Sequence, residues 1–231
     1  LHGTPFSGAK LENGALVLSA PTAHVKTEEI GSDLRIKTLE AVVQLDRLNQ
    51  RGGGVITVQT PNGLVFDSIV YGERISNQWI AGSDGFRRTE DVEGLSEKEA
   101  HTAPVHMMIV YSDDGTITLY RNGELYGQPY KSNGPVEFKK GTAQVVFGLR
   151  HGSPDGNKLL DGRILDAKLY DKALTRDEIE AIAAGHSGFI PEKLVLAELS
   201  DDNRERVARL RLEIGSLSST LAELSEKYTE R

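Results

Sequence analysis

Cysteine does not occur among the 231 residues. Disulfides, thiolate zinc sites and thioether-linked haem are therefore excluded, although the compartment is not named by this, because exported bacterial proteins can also lack disulfides. Tryptophan occurs once, aromatic residues make up 6% of the chain, and no apolar run approaches the length of a bilayer span. Membrane insertion is not expected. Basic residues are in deficit, with 27 Lys and Arg against 34 Asp and Glu and a formal net charge of -7. They are scattered rather than gathered in a stripe, so the field repels phosphate backbones and nucleic acid is not an expected partner. A nucleophile elbow, a phosphate-cradling glycine loop and a His-Glu-x-x-His pair are also missing. The chain opens Leu1-His2-Gly3-Thr4 without a methionine or a signal-peptide pattern. The expectation is a fragment of a larger exported protein, periplasmic or extracellular, whose export signal lies upstream.

What is present is strict alternation. In residues 112–127, Thr116, Ile117, Thr118, Leu119, Tyr120 and Arg121 alternate polar and apolar side chains, as a strand with one wet face requires. Asn122-Gly123 then supplies the positive φ angles of a two-residue hairpin. Asp113-Asp114-Gly115 has similar turn chemistry and follows the apolar run 105–111, so three strands read as a meander. Asn13-Gly14 and Asn62-Gly63 repeat the hairpin signal. Short alternating segments at 15–18, 39–45, 55–59, 64–70, 78–81, 105–111, 116–120, 143–147 and 162–170 have the spacing of an all-β sandwich with mostly antiparallel strands. A chain of this length can bury a full core as one main domain.

Residues 82–103 break the apolar pattern. A loop of that length is functional or disordered more often than a plain connection, so it enters the site search. Thr175-Arg176-Asp177-Glu178 matches a capping box and opens a helix whose Ile179 and Ile182 face inward and which Gly185 ends. After Pro191, Val207, Leu210, Ile214, Leu217, Leu221, Leu224 and Tyr228 alternate steps of three and four, the spacing of a coiled-coil seam about three heptads long. The division expected is a β-sandwich over 1–188 and a helical extension or linker to a further domain over 189–231.

Two strings, residues 114–127 and 160–182, resemble the laminin-G-like and pentraxin-like branch of the concanavalin A-like lectin/glucanase superfamily. The residues that carry the resemblance are Asp114, Gly115, Tyr120, Asn122 and Gly123, then Gly162, Ile164, Asp166, Tyr170, Leu174, Thr175, Glu178 and Ile179. It covers about 9–185 and implies an antiparallel jelly roll of two curved sheets. Residues 79–94 and 120–130 further look like the version of this domain embedded in large exported bacterial proteins that also carry a c-type cytochrome module.

The resemblance implies that an enzyme on this fold would be a glucanase carrying Glu-x-Asp-x-x-Glu on one strand, which sets two carboxyls about 5 Å apart. No such string occurs here, and Asp161, Asp166 and Asp171 alternate faces. An enzyme is not expected. The family often holds a cation at a sandwich rim, and Asp155, Asn157 and Asp161 supply loop oxygens suited to calcium; Pro154 to Asn157 is equally a plain turn. For a ligand, Trp79 could stack a sugar ring, with Asp84, Arg87 and Arg88 of the long loop bonding its hydroxyls. The same tryptophan could instead be core packing. His101, His106 and His151 lack ligand spacing. The function expected is a non-catalytic recognition module for carbohydrate or another extracellular surface. The alternative is a structural or interaction module whose helix, residues 207–228, self-associates or packs on another domain of the same polypeptide.

Overall fold

In the computed structural model, which describes residues 2–185 and 199–229, the chain divides into two compact units, Leu1–Phe189 and Ile190–Arg231. The first is a sandwich of two antiparallel sheets. Its strands are β1 (Gly3–Phe6), β2 (Lys10–Glu12), β3 (Ala15–Val17), β4 (His24–Glu29), β5 (Lys37–Leu45), β6 (Gly53–Gln59), β7 (Phe66–Tyr71), β8 (Trp79–Ser83), β9 (Val105–Tyr111), β10 (Thr116–Arg121), β11 (Glu124–Leu125), β12 (Tyr130–Lys131), β13 (Gln144–Phe147) and β14 (Gly162–Tyr170). One sheet runs β1-β4-β13-β6-β7-β8 and the other β11-β10-β9-β5-β14-β3-β2, with β12 added to β10. This is the expected all-β jelly-roll class.

Alternation decides which side chains enclose the core. From β5, Leu39, Ala41, Val43 and Leu45 point inward; from β9, Val105, Met107, Ile109 and Tyr111; from β10, Ile117 and Leu119. The meander β9-β10-β11 forms with Arg121 opposite Glu124, and Asn122 and Gly123 adopt φ of 54° and 80°. Asn13-Gly14 does the same between β2 and β3, with φ of 50° and 80°. The Asn62-Gly63 hairpin is wider than expected. β7 starts at Phe66 rather than 64, because Asn62 Oδ1 accepts from Thr60 Oγ1 and from the Leu64 amide and holds the intervening residues in a loop. The strand β4 was not foreseen; its HVKTEE string loses burial toward its polar end.

The helix α1 (Arg176–Gly185) begins as its capping box dictates: Glu178 Oε2 accepts the Thr175 amide at 2.8 Å. Ile179 is fully buried and joins Met108, Val110 and Leu174 in a small second core on the outer face of the β9 sheet. In the second unit, α2 (Asp201–Thr229) is a 29-residue helix. Ser200 caps it, its carbonyl accepting the Arg204 amide. Leu210 and Leu217 of the seam are exposed; the side chains of Ile214, Leu221, Leu224 and Tyr228, like Pro191, lie outside the described residues.

Registers fix the two ends of the sandwich. Leu45, Val105 and Gly162 lie at one end with Gly53, Tyr71 and Trp79, and Lys37, Tyr111 and Tyr170 lie at the other with Phe66 and Ser83.

Candidate functional site

The long polar loop is mostly framework. It leaves β8 at the Lys37 end and returns at the Trp79 end, bridging β8 and the β10–β11 hairpin. Arg88 is buried and binds three groups: Asp67 Oδ1 at 3.0 Å, Asp84 Oδ1 at 2.6 Å and the Phe66 carbonyl at 2.9 Å. Asp67 also meets Lys37 at 2.9 Å across the sandwich, both side chains fully buried. Burial opposes the charge on Arg88, and Asp67 with Asp84 more than offsets this, so its pKa is raised. A buried charge persists only with partners of this kind. Farther along, Glu97 is knitted to Arg121 by two hydrogen bonds of 2.9 Å and accepts the amides of Lys98, Glu99 and Ala100.

Trp79 therefore corrects the expectation of a sugar platform. Its side chain is 0% exposed, tilted against Tyr71 at 4.8 Å, and its Nε1 donates to Glu97 Oε2 at 2.8 Å. A ring enclosed on every side cannot stack a solute. Asp84 and Arg88 are spent on each other and on Asp67, so neither is a free hydrogen-bonding group. Of the four, Arg87 is the exposed one, its side chain 79% exposed and 3.8 Å from Asp84. The exposed ring of this loop is instead Phe86. The sequence signal for it is an aromatic residue beside two arginines in a polar loop.

The calcium set does not converge. Asp155 pairs with Lys158 at 2.7 Å, Asn157 Oδ1 accepts from Arg150 at 3.2 Å, and Asp161 meets Arg47 at 3.1 Å. Each of the three side chains already faces a cation. A carboxylate from another loop, Asp46, lies beside Asp161, whose pKa is raised by burial, lowered by Arg47 and raised again by Asp46. Ser19 Oγ donates to Asp46 at 2.5 Å. Two carboxylates with Arg47 against them do not fit a hard cation needing six or more oxygens. Among the described residues no group of three or more His, Asp or Glu could hold a metal. His106 meets Glu40 at 3.1 Å, and His151 stacks on Phe66 at 4.3 Å.

Asn157 and Asp161 nevertheless line a cavity, which opens at the Trp79 end and has a volume of about 550 Å³. Leu18, Pro21, Leu159 and Leu160 form its apolar lining; Thr22, Arg47, Asn49, Arg51, Asn157 and Asp161 bring donors and acceptors. Buried Gln50 fixes the walls to each other. Its Nε2 donates to the Arg47 and Asp161 carbonyls at 2.9 and 2.8 Å, and its Oε1 accepts the Asp161 amide at 2.9 Å. Arg51 Nη2 donates to the Glu73 carbonyl at 3.1 Å. The size falls within the usual range for ligand pockets.

A family model described as Concanavalin A-like lectin/glucanases superfamily matches residues 18–180. The chain belongs to that superfamily. Its laminin-G-like sandwich is similar to domain 4 of AbnA, an extracellular arabinanase from Geobacillus stearothermophilus solved with arabinotriose: 18% identity, 79% of this chain and 81% of that domain covered, TM-score 0.56. It is also similar to part of Trypanosoma rangeli sialidase, with 13% identity and a TM-score of 0.59, over 82% of this chain and 30% of the sialidase. At these identities the likeness is one of fold. No curated protein matches this superfamily member by sequence.

Proposed function

We propose that the sandwich is a non-catalytic carbohydrate-binding module that takes a neutral oligosaccharide in the cavity at the Trp79 end. The observation that carries this reading is the lining itself. A sugar ring offers C–H faces and hydroxyls together, and the cavity opposes apolar Leu18, Leu159 and Leu160 to Arg47, Asn49 and Asp161. Arg47 and Asp161 neutralise each other, which favours an uncharged ligand. Walls held by Gln50 need little ordering on binding, which preserves affinity. Among the solved neighbours, the arabinanase domain carries arabinotriose, which supports the ligand class.

Its non-catalytic character is supported by the fully buried acids. Glu40 is held by His106 and Tyr170, Asp67 by Lys37 and Arg88, and Glu97 by Arg121 and Trp79. The proposal includes a place in a longer exported protein, in keeping with the extracellular arabinanase. No helix among the described residues is long and apolar enough to cross a membrane. Calorimetry with arabinotriose, xylotriose and maltotriose tests the reading: one of them binds, and Asn49→Ala or Arg47→Ala weakens it at least tenfold. Binding untouched by both variants overturns the site, and silence with neutral sugars overturns the function.

A second reading, association through α2, is favoured by the exposure of Leu210 and Leu217. Leucines on a lone helix of this length would stay wet. Sedimentation of the full chain tests it: a concentration-dependent mass lost in Leu210→Glu/Leu217→Glu supports it, and a monomer at all concentrations refutes it.

A further inference from the structure

Phe86 sits in the left-handed region, with φ of 56°, directly after Gly85 at 53°. For a bulky residue this is an outlier that a loop keeps only when its surroundings over-determine it. Here they do. Ser83 Oγ accepts the Arg88 amide and pairs with Thr89 Oγ1, Thr89 Oγ1 donates to the Ala81 carbonyl, and the Thr89 amide donates to the Phe86 carbonyl. The strain does not serve burial, because the ring ends up 46% exposed. Arg74 lies over it at 5.5 Å from the centroid and is itself fixed by Asp91 at 3.0 Å. Beside it, Arg87 extends into solvent, and its partner Asp84 is committed to Arg88 at 2.6 Å.

We infer that Phe86 and Arg87 form a second carbohydrate site, specific for an acidic sugar. The pyranose C–H face stacks on the ring, and Arg87 takes the carboxylate, a planar fork suited to a planar anion. Arg74 braces the ring rather than meeting the ligand. The site shares no residue with the cavity described above and stands or falls independently of it, although both rest on the reading of the sandwich as a glycan binder.

The test is calorimetry of the full chain with trigalacturonate, alongside the neutral trisaccharides. Trigalacturonate binds, and both Phe86→Asn and Arg87→Ala weaken it at least tenfold, while Asn49→Ala in the cavity leaves it unchanged. Asparagine tolerates the left-handed conformation, so Phe86→Asn also raises the melting temperature by a few degrees while losing the ligand. No binding of trigalacturonate, binding indifferent to Phe86→Asn, or a variant that melts lower and binds normally overturns the inference. Neutral sugars lost only on Asn49→Ala leave the cavity reading intact whichever way this result falls.

Discussion

Glu97 is a buried carboxylate that stays charged. Burial alone would raise its pKa; Arg121, the Trp79 indole and the amides that follow it outweigh this and bring it down to about 2, from 4.5. A carboxylate whose pKa is depressed in the folded state stabilises that state above its unfolded pKa and loses the contribution as pH falls toward the folded value. Stability at neutral pH thus includes about 3 kcal/mol from this one group, converting the shift at 1.36 kcal/mol per unit. Urea unfolding between pH 7 and pH 2 checks it. The wild type loses stability between about pH 4.5 and 2, and Glu97→Gln starts lower at pH 7 and is flatter through that window. The same residue explains why Trp79 was ambiguous in the sequence. Alternation of Gln78, Trp79 and Ile80 says that the ring leaves one face of a strand, but not that the loop after that strand folds back so that Glu97 closes over it. Phe86 was missed for the converse reason: its display depends on a backbone angle that no side-chain pattern encodes.

At the scale of elements, local chemistry was legible wherever a turn or a cap sets the geometry. Asn122-Gly123 and Asn13-Gly14 formed the hairpins their residues require, and Thr175 with Glu178 started α1. What escaped was whatever depends on distant partners. β4 is sandwiched between β1 and β13, and that pairing, rather than its own pattern, makes HVKTEE a strand. Lys37 lies outside the alternating segment 39–45 and is nevertheless part of β5 and the buried partner of Asp67. The β10–β11 hairpin also carries a tertiary constraint: a Cβ on Gly123, at φ of 80°, would lie 2.8 Å from Ala183 Cβ of α1. Gly123→Ala therefore strains the turn and pushes on the helix, and chemical denaturation is expected to show a loss of at least about 1–2 kcal/mol. Gly14→Ala, at the same φ but in open space, is expected to cost less.

For the whole molecule, the sandwich class followed from alternation and turn spacing, since two half-wet sheets can bury their apolar faces only against each other. The position of the site followed less well. Asn157 and Asp161 marked the right end of the sandwich through turn chemistry that suggested a metal, while Arg47, from a loop remote in sequence, already pairs with Asp161. Calcium, with no vacant set of oxygens among the described residues, is expected to show no preference for the folded state, and a ligand without that preference cannot raise the melting point. Melting in millimolar calcium and in chelator is accordingly expected to coincide; a rise with calcium, abolished by Asp161→Asn, would restore the metal.

The proposed function places a neutral sugar in the cavity beside Gln50. Amide chemical-shift mapping of the full chain, titrated with the trisaccharide that binds in calorimetry, addresses this directly. Saturable shifts clustered in residues 18–22, 47–51 and 156–161 are expected. Shifts confined to another face of the sandwich, with those three segments silent at saturation, would contradict it.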